Sequence, residues 1–473
     1  MLERIAAFRL TLQKPAEARS MKEKLTIAAG LKAAEQGLQV FTRLAATLIL
    51  TRLLAPEIYG VFVVIITLQV MVTMVTDFGP RSLILSMRED EGLDDRFLHT
   101  CWTLQVIRGG ILLVLFLAIA AGIAGAQAAG MVSPESAYAA EDLPAAFAVL
   151  GLVPVIQGFE TMKQYLHERE LRLVRLTLIR LAFVVLAPTL MILFALITPT
   201  VWCMIFASIA AQAFRTAALT LALDGPKMRL LIDRRHWREI LSHLRWIMST
   251  SGLWAFGREA DSFILGFFLT SPFLGTYFIA KQIVSLPLNF ALDFMASTGV
   301  QVFTRLLAYG DLEALRRDYY RFRLPLDAVA FFLAGGFMVA GPAIVALLYD
   351  PRFADAGPIV QILAIGLPTI GFIMINSGFA AQRRFRIVTV TTLLDVTVLL
   401  TGLMVALVVF GSPWGAFFAI ALLRVPSALL LLWLGGREGW VSLRREFLMT
   451  PMLLLGAAAG WLGAEVVTLL GFQ

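Results

Sequence analysis

Arg43 and Arg258 each stand inside an apolar stretch, and each belongs to a polar stripe of helical spacing. Gln36, Gln39, Arg43, Thr47 and Thr51 recur every three or four positions, as do Ser251, Trp254, Arg258 and Asp261. That spacing places each set on one face of a helix. A cation at membrane depth costs a few kcal/mol at least, so it meets a partner or lines a wet cavity. Arginine adds a planar fork of paired donors that matches phosphate oxygens. The chemistry these residues suit is anion recognition, with Arg43, Arg258, Gln36, Gln39, Thr47, Trp254 and Asp261 as the substrate-binding set. The plainer alternative is that Arg258 pairs with Asp261 or Glu259 to hold helices together. It fits Arg43 less well, because that helix lacks a nearby acid.

The two arginines lie 215 residues apart, and the chain repeats at that offset. Leu50, Leu54, Gly60 and Phe62 fall on Leu265, Leu269, Gly275 and Tyr277. With the offset one residue shorter, Pro154, Phe159, Arg169, Arg172 and Leu173 fall on Pro368, Ile373, Arg383, Arg386 and Ile387. The sequence therefore reads as two tandem copies of one bundle, with the stripes on opposite walls of a central cleft.

Further charges stand in apolar segments: Arg108, Arg180, Arg215, Lys281, Asp293, Asp327, Asp395 and Arg424. Arg215, Arg424 and Lys281 extend the candidate cavity, although the first two also suit snorkelling at a cytoplasmic helix end. Asp77 and Asp293 are near-equivalent in the two copies. They brace helix ends or, together with Asp395, bind a coupling cation; for Asp77 and Asp293 the brace is the favoured reading.

Composition says what must carry these residues. Apolar residues make up 59% of the 473-residue chain and charged residues 15%, well below the roughly 25% charged of soluble domains. The apolar residues arrive in blocks of about twenty, the length of a membrane-spanning helix. Spans are expected over 27–54, 59–80, 101–124, 145–165, 176–198 and 201–223. A second set follows over 244–270, 273–297, 325–349, 357–380, 388–410 and 413–434, and a thirteenth over 447–470. The expected fold is an all-α polytopic membrane protein of two parallel six-helix repeats around a central cleft, plus a thirteenth C-terminal helix. Its parts are a cytoplasmic segment (1–26), an N-terminal bundle (27–223), a cytoplasmic connector (224–243), a C-terminal bundle (244–434) and a last loop and helix (435–473). Residues 311–323 read as a separate amphipathic surface helix.

Several chemistries drop out. Cys101 and Cys203 are the sole cysteines and lie at or inside apolar helices, so no disulfide framework or cysteine-based metal site follows. His99, His167, His236 and His243 show no zinc-ligand pairing. No Gly-x-x-x-x-Gly-Lys-Ser/Thr loop is present to cradle a nucleotide. No metal, cofactor or enzymatic activity is expected. Gly109-Gly110 and Gly335-Gly336 read as close helix packing.

The net charge of +7 is topology, not a nucleic-acid footprint. Basic loops alternate with loops almost free of cations: 125–144 has none and 349–357 only Arg352. The positive-inside rule puts the N-terminus and every basic loop in the cytoplasm, and the C-terminus outside. Met1 to Lys24, basic and without an apolar core, reads as a cytoplasmic lead-in.

The stretch Arg52-Leu53-Leu54-Ala55-Pro56-Glu57-Ile58-Tyr59-Gly60 resembles the arginine-leucine-leucine…proline-glutamate-x-tyrosine-glycine signature of bacterial oligosaccharide flippases. Asp77-Phe78-Gly79 resembles their aspartate-x-glycine. Asp261-Ser262-Phe263-Ile264-Leu265-Gly266 with Leu274-Gly275-Thr276-Tyr277 is similar to the second-half repeat, and Leu348 to Ala356 to the loop before helix ten. The resemblance covers roughly 25–435 and implies membership of the multidrug/oligosaccharidyl-lipid/polysaccharide exporter superfamily. It implies a bacterial inner-membrane flippase that moves undecaprenyl-diphosphate-linked oligosaccharide for exopolysaccharide or O-antigen assembly. The implied partners are the lipid-linked oligosaccharide, membrane lipids, and a polysaccharide polymerase with its export machinery. Two features depart from the pattern: Phe267 stands where the second half would repeat Arg52, and thirteen helices fall between the commoner counts. Alternatives are a lipid II flippase or a multidrug or metabolite antiporter of the same superfamily. A membrane glycosyltransferase fits poorly, because the longest outer loop offers only Glu135, Glu141 and Asp142 as acids.

The charge asymmetry predicts that reporters fused after residue 135 or 355 report the periplasm, and those after 230 or 385 the cytoplasm. A cytoplasmic signal from the 125–144 loop would overturn the repeat-based topology.

Overall fold

In hydrocarbon every backbone N–H and C=O must find a partner within the chain, which favours helices for a sequence this apolar. The structure, a computed structural model, describes residues 21–86, 94–294, 312–382, 384–439 and 441–469. Among the described residues the regular structure is helical throughout. Eight helices are long and apolar enough to cross a membrane, ten if each of two bent pairs is one span. The protein is an all-α, multi-pass membrane protein. The chain forms two compact units: one holds the residues up to Leu54, Ile65–Pro134 and Tyr138–Phe256, the other Ala55–Val64, Glu135–Ala137 and the chain from Gly257.

The first unit contains α1 (Met21–Leu53), most of α2 (Pro56–Val75), α3 (Pro80–Ser86), α4 (Asp95–Ala128), α5 (Leu143–Leu150), α6 (Leu152–Gly158), α7 (Lys163–Arg169), α8 (Leu173–Ile197), α9 (Val201–Ala222) and the start of α10 (Arg234–Phe268). Here α8 packs against α1 and α9, and α4 against α5 and α6. At the α4–α6 contact a methyl on Gly109 would lie 2.8 Å from the Pro154 carbonyl oxygen, and one on Gly158 3.0 Å from that of Gln105. Gly110, by contrast, faces open space. The expected fourth span is broken, with α5–α6 meeting α7 at 56°. The Gln105 amide bridges the break, donating to the Gln157 carbonyl at 2.8 Å.

The connector is half helical, because α10 begins at Arg234. The Asp233 side chain accepts from the amides of Arg235 and His236 at that helix start. Those donors hold its carboxyl below the usual carboxylate range. Thr103 and Thr100 on α4 pin the strand of connector before it: the Thr103 hydroxyl accepts from the Leu231 amide at 2.9 Å, and that of Thr100 from the Asp233 amide at 3.1 Å.

The second unit contains the start of α2, the end of α10, α11 (Ser271–Phe294), α12 (Leu312–Leu348), α13 (Ala356–Ala364), α14 (Phe372–Ala381), α15 (Phe385–Met404), α16 (Pro413–Leu422), α17 (Val425–Arg437), α18 (Leu443–Glu446) and α19 (Pro451–Leu469). The expected tenth span is bent as the fourth is: α13 and the segment ending in α14 meet at 43°. The expected twelfth is α16 and α17, which together pass as one span, and α19 is the thirteenth, long and apolar enough to cross.

Two close approaches shape this unit. On α2 and α11, a methyl on Gly60 would overlap the Ser271 carbonyl oxygen, and one on Gly275 would overlap that of Pro56. The contact is reciprocal, because Ser271 and Gly275 are the repeat equivalents of Pro56 and Gly60. On α12 and α19, Gly335 sits against the Leu453 carbonyl, Gly456 against that of Phe332, and Gly460 against that of Gly336. Small residues four apart let the two backbones touch, the usual adhesive of helices in lipid.

The separate surface helix expected over 311–323 is instead the first turns of α12, which runs on through Pro325. The reason is burial. Arg323 is 1% exposed, with Nε 2.6 Å from Asp327 Oδ2 and Nη2 2.8 Å from Glu446 Oε2. Tyr319 and Tyr320 donate to Glu446 Oε1 at 2.9 and 3.0 Å. The Phe372 ring lies 4.6 Å from the guanidinium carbon. Gly371 leaves the space that Asp327 fills. This network ties α18, and with it the approach to α19, to the foot of α12.

Breaking a buried ion pair from one side costs about 3–5 kcal/mol, while replacing all members by apolar groups is often neutral. Arg323→Ala or Glu446→Ala should therefore lower the melting temperature in detergent clearly. A triple Arg323→Met, Asp327→Leu, Glu446→Leu variant should recover most of the loss. Single variants that melt with wild type would remove the network's structural role.

Candidate functional site

Besides the two bent spans, three expected spans are not, over their described residues, among those apolar enough to cross: α1, α10 and α11. They are the helices that carry Arg43, Arg258 and Lys281. On α1, Gln39 and Arg43 are exposed, Gln36 is half-buried, and Thr47 and Thr51 are buried. The Thr47 hydroxyl donates to the Arg43 carbonyl at 2.8 Å, and that of Thr51 to Leu48 at 3.2 Å. The threonine end of the stripe is thus packed onto its own helix, and the end with Gln39 and Arg43 is open.

On α10 the side chains of Ser251 and Trp254 lie outside the described residues. The following turns form a cluster with α11. Arg258, with a side chain 51% exposed, has Nε 3.5 Å from Glu259 Oε1. Asp261 is buried and accepts from the Ser262 amide at 2.7 Å, the Tyr277 hydroxyl at 2.5 Å, Lys281 Nζ at 2.9 Å and, at 3.4 Å, the Ser262 hydroxyl. Lys281 Nζ also lies 3.7 Å from Glu259 Oε2 and donates to the Ser262 hydroxyl at 3.0 Å. Arg258 therefore stands beside Glu259, while Asp261 holds Lys281. The i, i+4 step from Tyr277 to Lys281 presents both donors to one carboxylate.

The remaining cavity candidates are matched by acids within their own units. Arg215 Nε is 3.3 Å from Glu160 Oε1, with the Phe183 ring 5.3 Å from its guanidinium carbon. Glu160 is buried and also accepts from Gln212 at 2.7 Å and Gln164 at 3.1 Å. Arg424 interacts electrostatically with Asp395, and the Ser427 hydroxyl donates to the Arg424 carbonyl at 3.0 Å. Asp77 accepts from the Gly79 amide at 3.1 Å, and Gly79 has φ of +62°. That is an Asx turn at the corner between α2 and α3. Arg108 donates to the Thr73 carbonyl at 2.6 Å and the Thr76 hydroxyl at 3.2 Å beside it. The side chain of Asp293 lies outside the described residues.

Sequence reasoning did not single out Glu160 or Glu168. Glu168 is buried and pairs with Arg81 at 2.7 Å and with Arg180. Nearby, Lys163 donates to the carbonyls of Thr220 and Leu223 at 3.2 and 2.9 Å, satisfying the end of α9. The available signal was an acid inside or beside an apolar span, obscured by the basic residues around it. Among the described residues, no group of three or more His, Cys, Asp or Glu is placed to hold a metal ion.

The fold is that of known transporters. The chain is similar to the lipid II flippase MurJ in its inward closed conformation, with a TM-score of 0.66, 13% identity, and coverage of 93% of this chain and 97% of that one. It is equally similar to a multidrug resistance MATE family transporter of the MOP superfamily, inward-facing, at a TM-score of 0.66, 16% identity, and 85% and 94% coverage. A MOP superfamily transporter from Pyrococcus furiosus, described as having a binding pocket of reversed polarity, matches with a TM-score of 0.53 and 17% identity over 85% and 92% of the two chains. No curated protein sequence matches. The pattern of the polysaccharide biosynthesis protein family matches residues 49–358. The chain belongs to the polysaccharide biosynthesis protein family.

Proposed function

We propose that this protein flips an undecaprenyl-diphosphate-linked oligosaccharide across the bacterial inner membrane by alternating access, for exopolysaccharide or O-antigen assembly. The observation that carries the reading is the placement of Arg43, Arg258 and Lys281 on three spans that are less apolar than the others. Such helices favour the wall of a water-filled path. In parallel-repeat transporters substrate binds between the halves near the midplane. A diphosphate is a compact anion suited to the arginine fork. The lipid tail stays in the bilayer while the polar head crosses. The protein's role is transport and not bond-making. Its partners are the lipid-linked oligosaccharide, surrounding lipids, and the polymerase and export machinery that take up the product. The N-terminus is cytoplasmic and the C-terminus periplasmic.

The fold alone does not choose between flippase and antiporter, since both neighbours match it equally. The charge supports the flippase: exposed arginines on repeat-related helices suit an anionic head better than a cationic drug. A lipid II flippase shares the diphosphate-lipid anchor and separates from the first reading by its sugar. For coupling, Asp395 beside Arg424 is the candidate ion-binding acid, because the Asp77 carboxylate turns a helix corner.

A hydrogen bond to a charged group contributes about 1.5–3 kcal/mol, so loss of either arginine should cut transport about tenfold or more. Arg43→Ala and Arg258→Ala should abolish polysaccharide export in a transport-null strain at normal membrane abundance, while Lys at either position keeps part of it. Normal export from the double alanine variant would remove the anion-binding role, and lost export with lost protein would make the residues structural. Asp395→Asn should uncouple flipping from an imposed ion gradient in proteoliposomes. Unchanged gradient dependence would strike Asp395 from the coupling site.

A further inference from the structure

The α10–α11 cluster holds two acids in different ways. Asp261 is fixed by three donors between 2.5 and 2.9 Å. Glu259 bridges two cations at longer range, 3.5 Å to Arg258 Nε and 3.7 Å to Lys281 Nζ. One of those cations, Arg258, is half exposed, so the Glu259 contact to it is weak. Glu259 and Asp261 together balance Arg258 and Lys281. Adding an anion to this balanced group would leave excess negative charge in a low-dielectric place, which is costly. Releasing the Glu259 carboxylate from the two cations as a phosphate arrives lowers that cost. A phosphate oxygen set can take the place of a carboxylate between a guanidinium and an ammonium, with shorter and stronger charge-assisted hydrogen bonds.

We infer that Glu259 is a resident counter-ion that occupies a phosphate-binding position between Arg258 and Lys281 and yields it to the diphosphate of the substrate. The inference rests on the flippase reading above and deepens it in two ways. Lys281 becomes the second phosphate-binding cation of the C-terminal half, positioned by Asp261 and Tyr277. Glu259 sets the affinity: it keeps the cations neutralised between substrates and competes with the diphosphate for them. Asp261 stays in place throughout, so Lys281 keeps one acid partner in either state.

The test is calorimetric titration of the full-length protein in phosphatidylcholine nanodiscs with inorganic pyrophosphate. Glu259→Gln keeps the side chain's size and removes its charge, and should bind pyrophosphate about tenfold more tightly than wild type. Lys281→Gln should bind it about tenfold more weakly. Glu259→Ala serves as a second variant should the amide misfold, judged by melting temperature. Equal or weaker binding by folded Glu259 variants would overturn the counter-ion role, and unchanged binding by Lys281→Gln would remove Lys281 from the site. Loss of pyrophosphate binding when phosphatidylglycerol replaces part of the lipid would mean the position takes lipid phosphate generally, overturning the diphosphate assignment. Failure of the wild-type protein to restore export in a transport-null strain sinks the flippase reading without touching this titration, so the two failures are distinguishable.

Discussion

A charge placed in hydrocarbon must be matched or wetted, and the side-chain arrangement of both units follows from that requirement. Arg215 meets Glu160, Arg180 meets Glu168, Lys281 meets Asp261, and Arg323 meets both Asp327 and Glu446. Each pair links segments that hydrophobic packing alone would hold loosely, since lipid tails compete equally well for a leucine. Burial also sorts the cations. Arg323 is sealed among aromatic rings and serves the fold, whereas Arg43 and Arg258 stand exposed on the two repeat-related helices.

Burial cost separates the two kinds of ion pair. For Arg323, at 1% exposure, removing one member strands a charge with no water to receive it. Arg258 keeps a half-exposed side chain, so its contact with Glu259 can be exchanged at smaller cost. The α12–α18 network belongs to the first kind and the α10–α11 cluster to the second.

Hydropathy made the positions of most spans legible, because each span answers to its own composition. Partner identity was not legible in the same way. Glu160 is held by Gln212 and Arg215 on α9, and Glu446 meets Arg323 across more than a hundred residues, distances at which no periodicity carries information. The segment ending at Arg323 read as a separate surface helix, yet α12 runs on from it through Pro325. The polar stripes on α1 and α10 could be placed on faces, but that Asp261 turns to Lys281 depends on α11, which the stripe does not contain. Gly335-Gly336 read as a packing surface, and the matching glycines of α19 came only with the fold.

At the crossing of α2 and α11, the glycine of each copy is closed in by the backbone of the other copy's first turn. Two copies that arose by duplication are ordinarily free to drift apart, residue by residue. Here they are not, because a side chain gained at Gly60 would be rejected by Ser271, and one gained at Gly275 by Pro56. Neither duplicate can explore that position without the other's backbone moving to admit it. The crossing acts as a shared memory of the ancestral unit, one that two otherwise divergent halves must continue to keep together.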